Sequence, residues 1–536
     1  MNRRIDLLKI FITSIFTISS CFYFYSFVLI AKNVRSDFQN IKISNSNFLD
    51  ETSKNPVVDS INLAILLKNL SRINFSKILL NLEFKKISNT EFEISGIDSF
   101  KLELEKIYKI RDLFNRIDPQ IETFSKIDLF AKFLPTEKIN EILPKAKKAT
   151  SEIFNLEFAI NKIFSDFKIL VLFQNPLESR PTGGFIGSFA YIEIKNQKLE
   201  IIEIASSYKI EDYRNLVEPP KELKYVYQNF TFRDSNFYFS FEDSAKKATD
   251  FFGRSVDSVV FVNPSFLKIF LDEVGEISIP EKNIKINSEN IFSALGFFGE
   301  AEYRQNSDFS ENSKNFLGEL FSELLKKITE RDSLKNDKFL KKILTSIYKR
   351  DVVFYFFDSK IKSLAKYLRI DGDLPNYDEN YLSIIETNLG GSKSSWSIKK
   401  EVSIKISDNR KFYEIEMKFT HLGDHNFLNG DWKSFERFYI PPNVEEVTLF
   451  NFDEPPEIVG TEKIVSGTEG ARFFVGGWIN LKPNESRVLK VSYRLTEPQK
   501  DFLFVPQSAS RNFFLKIFED EKLVKEISDP VLSVKV

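Results

Sequence analysis

The polar residues best suited to chemistry lie in one loop between two predicted strands. Two adjacent glycines allow backbone N–H groups to point into one concavity, and a neighbouring arginine can donate two hydrogen bonds to a phosphate or carboxylate. The loop is therefore predicted to bind an anion. The residues predicted to contact it are Gln174, Asn175, Glu178, Arg180, Thr182, Gly183 and Gly184.

This loop differs from the familiar phosphate-binding sequences. No Gly-Lys-Ser or Gly-Lys-Thr follows the glycines, as a Walker A loop requires, and their spacing does not fit a dinucleotide fingerprint. A structural interpretation is also open, in which the glycines form a tight turn and Glu178 pairs with Arg180 to fix it. The sequence alone does not decide between them.

Two further charged segments are candidates for the same site. Arg233, Asp234 and Asn236 precede a predicted helix, where Asp234 either contacts a ligand or caps the helix. Arg304 and Asp308 lie near another helix start, where charged residues usually form a solvated face. Residue types alone assign no catalytic role to any of these side chains.

The chain contains few residues for histidine or cysteine chemistry, with 1 Cys and 2 His. His421 and His425 follow a predicted strand and do not share a helix face, so no metal site is predicted there. No Ser-His-Asp or Cys-His arrangement can be built in the central region. No cofactor is required, although one of the carboxylates of Glu178, Asp234 and Asp308 is a candidate to hold a divalent cation such as Mg²⁺.

The N-terminal region contains a predicted membrane anchor. No charged residue occurs from Ile10 to Ala31, and a helix of roughly 20 apolar residues crosses a bilayer. A cleaved signal peptide would have a shorter apolar core, and Leu29 does not fit a small-residue cleavage site before Ala31. We therefore expect residues 1–9 in the cytoplasm, residues 10–31 in the lipid bilayer of the cell membrane, and the rest outside the cytoplasm.

The elements that position the candidate residues divide the rest of the chain into three parts. Residues 32–167 read as a linker and a helical stalk, ending in a heptad pattern. Residues 168–372 alternate between strands and helices and predict an α/β core domain. Residues 381–536 contain many short alternating segments and predict an all-β, sandwich-like C-terminal domain.

Composition excludes one class of partner and leaves another open. A net charge of −1 gives no electrostatic footprint for nucleic acid. The aromatic residues Trp432, Phe435 and Trp478 of the predicted sandwich either form an exposed contact patch for a partner or belong to a core.

Several strings resemble a bacterial domain-of-unknown-function family, number four thousand and twelve. They are QNPLESRPTGGFIGSFAYIEI, FRDSNF, VDSVVFVNPSFLKIFLDEVGEISI, IIETNLGGSK and GDWKSFERFYIPP. The resemblance implies an anchored envelope protein of no established activity. Ser240 stands where family members usually carry an Asp, so either this chain lacks any role of that carboxylate or Glu242 or Asp243 supplies it.

A second likeness is to the LytR-CpsA-Psr glycopolymer transferases. The segment Tyr303 to Asp308, leading into a helix with Lys314, is similar to their second charged motif. This likeness implies a phosphotransferase acting on polyprenyl-pyrophosphate-linked glycopolymers, with Arg180, Arg233 and Arg304 converging on the substrate. The alternative is a non-enzymatic cell-surface protein that binds a partner or has a structural role.

Overall fold

A computed structural model describes most of the chain from residue 158 onward and a hairpin before it. The described residues are 83–88, 91–95, 155, 158–210, 217–220, 223, 229–279, 283–305, 316–328, 337–368, 370–372, 380–426, 429–454, 464–469, 472–530 and 533–536. No helix within these ranges has the length and apolarity needed to cross a bilayer. The predicted anchor, residues 10–31, and most of the predicted linker and stalk lie outside them.

A seven-stranded sheet forms the centre of the first domain, in the order β1-β2-β5-β4-β3-β6-β9. Strands β3 and β6 pair in parallel, while every other described pair in this sheet is antiparallel. The strands are β1 (Glu83–Lys86), β2 (Glu91–Ser95), β3 (Asp166–Asn175), β4 (Phe185–Lys195), β5 (Lys198–Ser206), β6 (Ser258–Val262) and β9 (Val352–Phe356). The predicted α/β core is confirmed.

Helices cover both faces of this sheet because successive residues of its buried strands point to opposite sides. Leu170 and Leu172 of β3 pack with α1, and Ile169 and Val171 pack in the core that contains the other helices. A short hairpin, β7 (Ile277–Ile279) and β8 (Ile284–Ile286), follows α2. The helices are α1 (Phe241–Phe252), α2 (Pro264–Val274), α3 (Ile291–Gln305), α4 (Phe316–Ile328), α5 (Asp337–Tyr348) and α6 (Ser359–Leu368).

Part of the predicted helical stalk is wrong. The β1–β2 hairpin lies within residues 32–167, and β2 pairs antiparallel with β5 at the edge of the sheet. Alternation in Glu-Phe-Glu-Ile-Ser suits a half-exposed edge strand. The end of the predicted heptad pattern also belongs to this domain, since Ile160 and Ile163 pack in its core.

Two six-stranded sheets form the C-terminal domain and enclose an apolar core, as predicted. The first sheet has the order β15-β16-β13-β10-β18-β21, and the second has the order β14-β17-β12-β11-β19-β20. The strands are β10 (Asn380–Asn388), β11 (Ile398–Ser407), β12 (Phe412–His421), β13 (Trp432–Ile440), β14 (Val444–Phe450), β15 (Ile464–Glu469), β16 (Arg472–Leu481), β17 (Ser486–Leu495), β18 (Phe502–Phe504), β19 (Phe513–Glu519), β20 (Lys522–Ser528) and β21 (Val534–Lys535).

The aromatic residues considered for an exposed patch are fully buried. Trp432 lies in the sandwich core. Phe435 and Trp478 face the other way and pack against Phe237 of the α/β domain. The expected patch is therefore wrong as a surface feature, because its aromatic area is covered by the chain's own first domain.

Candidate functional site

The Gly-Gly loop connects β3 and β4 and closes on its own backbone. The N–H of Gly183 donates to the carbonyl of Arg180 at 2.9 Å, and the N–H of Phe185 donates to the carbonyl of Glu178 at 2.9 Å. A side chain at Gly184 would place its Cβ 2.3 Å from the carbonyl carbon of Asn175, and Gly183 has a φ of +133°. Both glycines are therefore needed for the turn itself.

Arg180 is the centre of the site and has no exposed surface. Its Nη2 lies 3.0 Å from Glu178 Oε1 and 3.4 Å from Asp234 Oδ1. Its Nη1 donates to the backbone carbonyl of Asn388 in the sandwich. Lys393, also from the sandwich, pairs with the second oxygen of Glu178 at 2.5 Å. The guanidinium is thus held by carboxylates on one side and by the second domain on the other.

The two buried carboxyl groups respond differently to this environment. Burial favours the neutral form of Glu178, but the charges and hydrogen bonds of Lys393 and Arg180 outweigh it and lower the pKa. Burial also favours the neutral form of Asp234, and here the attraction of Arg180 and Arg233 does not offset it, so the pKa is raised. Glu178 is the principal counter-ion of Arg180.

Amide side chains join the loop to a 3-10 helix, Phe232–Phe237. The Nε2 of Gln174 and the Nδ2 of Asn236 donate to Thr182 Oγ1 at 2.5 and 2.9 Å. Asn236 also donates to the carbonyl of Gly184 at 2.7 Å. The structure therefore brings together the first two candidate segments, 174–184 and 233–236.

The sandwich holds the loop with backbone and side-chain hydrogen bonds. The N–H of Asn388 donates to the carbonyl of Ser179 at 3.0 Å. Gln507 Nε2 donates to the carbonyls of Arg180 and Glu386, both at 2.9 Å. The Gly-Gly loop of the α/β domain therefore lies in its contact with the sandwich.

A second arginine makes the reciprocal contact from the sandwich side. Arg437 Nη2 donates to the carbonyl of Phe237 at 2.7 Å, and its Nη1 pairs with Glu469. Arg350 of the α/β domain donates in turn to the carbonyl of Pro506. Burial lowers the pKa of Arg350 to about 10. Arginine side chains thus donate hydrogen bonds to backbone carbonyls across the junction in both directions.

The other two arginines predicted for the site are Arg233 and Arg304. Arg233 keeps 18% of its side chain exposed, pairs with Asp234 at 3.5 Å, and lies over the Tyr208 ring at 4.8 Å. The backbone of Arg304 belongs to α3, while Asp308 lies outside the described residues. Two of the three arginines, Arg180 and Arg233, therefore contact one carboxylate, and the position of the third side chain stays a prediction.

Ser240 is the N-cap residue of α1. Its Oγ accepts a hydrogen bond from the N–H of Asp243 at 3.2 Å at the start of α1, a role that Asp performs equally well. Asp234 does not cap this helix, because its carboxylate is paired with arginines. Ser at this position therefore preserves a capping function.

Backbone groups hold the first of the two histidines, His421. His421 is buried, its Nδ1 accepts from the N–H of Gly423 at 3.2 Å, and its Nε2 lies 3.1 Å from the carbonyl of Gly430. Burial lowers its pKa, and the bond to Gly430 opposes that shift. Within the described ranges, no three His, Cys, Asp or Glu side chains are grouped as metal ligands.

Sequence reasoning missed the sandwich half of the site. The missed residues are far in sequence from the residues that they contact or lie in other elements, and their segments read as ordinary strands and turns. They are Lys393, Asn388, Gln507 and Arg437. One signal was available, since two adjacent charged residues, Glu436 and Arg437, interrupt the otherwise apolar end of β13. A charged residue in such a strand is rarely buried without a partner.

Comparison with known proteins identifies one family. Residues 166–296 match the family described as a protein of unknown function, DUF4012. The match confirms the predicted resemblance over these residues, which include the Gly-Gly loop and the 3-10 helix. No curated protein matches the chain.

Solved structures give only weak likenesses. Protein gbs0355 from Streptococcus agalactiae is 18% identical, with 40% of this chain and 76% of that chain covered and a TM-score of 0.24. Protein Lin1025 from Listeria innocua is 12% identical, with 39% and 79% covered and a TM-score of 0.20. The transcriptional regulator yvhJ from Bacillus subtilis is 12% identical, with 35% and 97% covered and a TM-score of 0.18. Similarity at this level gives no weight to any functional conclusion.

Proposed function

Because residues 166–296 match a family of unknown function and their Gly-Gly loop lies against the sandwich, we propose that the protein is a non-catalytic component of the bacterial cell envelope. Residues 10–31 anchor it in the membrane, and the two folded domains form one rigid head outside the cytoplasm. The head presents its outer surfaces to a cell-surface partner or glycan.

The observation that carries this proposal is that Arg180 is fully buried and paired with two carboxylates. An incoming anion would have to displace Glu178 or Asp234, both at most 4% exposed. Removing the partner of a buried charge costs about 3–5 kcal/mol. The loop is therefore better suited to holding two domains together than to exchanging ligands.

The competing hypothesis is a phosphotransferase similar to the LytR-CpsA-Psr enzymes. One observation favours it: Arg233 is partly exposed beside the buried cluster and keeps its guanidinium over an aromatic ring. A pyrophosphate-linked lipid could contact Arg233 first, with Mg²⁺ screening its charge. Transfer would then require Arg180 to release a carboxylate.

A binding experiment separates the two hypotheses. The full-length chain in detergent micelles is titrated with a short polyprenyl pyrophosphate analogue in the presence of Mg²⁺, by calorimetry. Arg233→Ala is compared with wild type, and Arg254→Ala, an arginine outside the junction that also stacks on aromatic rings, is the matched control. We expect no saturable binding to any of the three proteins. Saturable binding that Arg233→Ala abolishes and Arg254→Ala retains would establish the phosphotransferase hypothesis instead.

The anchor is tested separately in intact cells. We expect the chain to fractionate with membranes and to be digested from outside by an added protease, and a variant lacking residues 10–31 to be absent from the membrane fraction. Wild-type protein found in the soluble fraction would refute the anchor without bearing on the rigid head.

A further inference from the structure

Three ionisable side chains meet inside the sandwich, between its two sheets. Glu386 on β10 and Glu436 on β13 come from one sheet, and Lys400 on β11 comes from the other. Their exposed fractions are 3%, 0% and 3%. Charged residues are almost never buried to this extent without a specific partner. This set is called the sandwich cluster.

The alternation of the strands places all three side chains in the apolar core. Ile384 lies two positions before Glu386, and Phe438 lies two positions after Glu436. The side chains of Ile384 and Phe438 belong to the sandwich core, and residues two positions apart in a strand point to the same side. Glu386 and Glu436 are direct cross-strand neighbours in the antiparallel β10–β13 pair. Side chains in such a pair lie about 5 Å apart at their Cβ atoms.

The contacts give each group of the sandwich cluster a distinct environment. Lys400 Nζ contacts Glu386 Oε2, and the indole N–H of Trp432 donates to Glu386 Oε1 at 3.1 Å. Ser434 Oγ donates to Glu436 Oε1 at 2.7 Å. The other carboxyl oxygen of Glu436 is buried and has no hydrogen-bond partner among the described residues.

One cation faces two carboxyl groups, so only one carboxylate is neutralised. Burial, reinforced by the negative charge of Glu386, raises the pKa of Glu436 to about 8, against the attraction of Lys400. Glu436 is therefore a neutral acid at neutral pH. The cluster consists of an amine, a carboxyl group in contact with it, and an acid that can donate and accept protons.

We propose that Lys400 and Glu386 condense into an amide that covalently joins the two sheets, with Glu436 transferring the proton. The contact fixes the two reacting groups together, and such fixed geometry replaces the bimolecular encounter that makes condensation slow in water. This modification lies outside the domain junction and is independent of the proposed function.

The chemistry is balanced without an external reagent. The reaction requires the proton between Lys400 Nζ and Glu386 Oε2 to be on the carboxyl oxygen, which leaves a neutral amine and a neutral acid. Nζ attacks Cδ of Glu386, and the Trp432 N–H stabilises the oxygen that becomes negative. Glu436 accepts the proton from Nζ and donates its own to the departing hydroxyl group. The C–N bond forms, the C–O bond breaks, and one water leaves with no change in oxidation state.

The buried pair at the domain junction provides an internal control. Lys393 contacts Glu178, but Glu178 is also paired with the Arg180 guanidinium, which cannot transfer a proton and which also contacts the neighbouring carboxyl group of Asp234. We therefore expect Lys393 and Glu178 to stay an ordinary ion pair in the same molecule.

The test is peptide mass spectrometry of the purified full-length protein. We expect proteolysis to yield one branched peptide that contains both Lys400 and Glu386 and whose mass is one water below the sum of its two arms. Fragmentation should place the branch at these two residues, and the peptides with Lys393 and Glu178 should be separate. A wild-type digest with only separate Lys400 and Glu386 peptides would overturn the proposal.

Two variants test the role of Glu436. Glu436→Gln keeps the size of the side chain but cannot transfer the proton, and we expect its Lys400 and Glu386 peptides to be separate. Lys405→Met, at an exposed position of the same strand, should keep the branched peptide. An equal yield of branched peptide in Glu436→Gln would contradict the assigned role of Glu436. The wild-type digest decides the cross-link even if Glu436→Gln does not fold.

Discussion

Two buried charged clusters of this protein differ in which parts of the fold they connect. The junction cluster, Glu178, Arg180, Asp234 and Lys393, takes its side chains from both domains. The sandwich cluster lies within one domain and connects its two sheets. Similar residue types thus serve two purposes: a side chain lost at the junction weakens the contact between domains, whereas a side chain lost in the sandwich weakens one domain.

Breaking the junction cluster should have the largest effect. Arg180→Met leaves Glu178 and Asp234 buried near each other without their shared partner, and we expect the free energy of unfolding to fall by about 3–5 kcal/mol. Chemical denaturation of the full-length protein measures this change. Arg254→Met, at a partly exposed arginine that pairs with Glu203 and lies over two aromatic rings, should lower it by only about 1 kcal/mol. If Arg180→Met were as stable as Arg254→Met, the junction cluster would not stabilise the protein.

Changing the backbone under the cluster should have a smaller effect. Gly184→Ala forces a methyl group against the carbonyl of Asn175, and overpacking of this kind costs about 1–3 kcal/mol. Gly430→Ala is the matched control, because its Cβ would meet only the Cβ of Ser392 at 3.6 Å. Thermal unfolding of both variants should show a lower Tm for Gly184→Ala alone, and equal Tm values would disprove the close approach.

A partly exposed ion pair within the α/β domain should have the smallest effect. Burial opposes ionisation of Glu242, but hydrogen bonds from Lys246 and Lys362 outweigh it and lower the pKa from 4.5 to about 2. A pKa lowered by folding means that the folded state is stabilised above the unfolded value, and that this stability is lost as the pH falls from 4.5 toward 2.

We therefore expect Glu242→Gln to be less stable than wild type by about 0–1 kcal/mol at neutral pH, because such surface pairs are weak. The difference between the two proteins should vanish as the pH approaches the folded-state pKa. Denaturation curves over this pH range measure it. A difference that stays constant with pH would show that Glu242 acts through packing and not through its charge.

Local periodicity was enough to predict much of the fold. The alternating strands of the sandwich were predicted because a single face of each is apolar. The β1–β2 hairpin was missed because two strands of 4 and 5 residues leave little periodic signal inside a region read as helical.

The role of the Gly-Gly loop could not be predicted from the same information. The sequence indicated which residues of the loop matter, and Glu178 pairs with Arg180 as the structural interpretation expected. Its sandwich partners lie far away in sequence, with Asn388 208 positions and Gln507 327 positions from Arg180. Since local patterns say nothing about such contacts, a buried junction and an exposed anion site looked alike.

The central claim, that the two domains form one rigid head, is tested most directly by hydrogen exchange. The N–H groups of Asn388 and Ser395 donate across the junction to the carbonyls of Ser179 and Leu177, at 3.0 and 3.1 Å. In the full-length protein we predict that both exchange as slowly as the central amides of β3, because only global unfolding exposes them. Rapid exchange at these two amides, with β3 still protected, would show that the domains separate freely and would contradict the account.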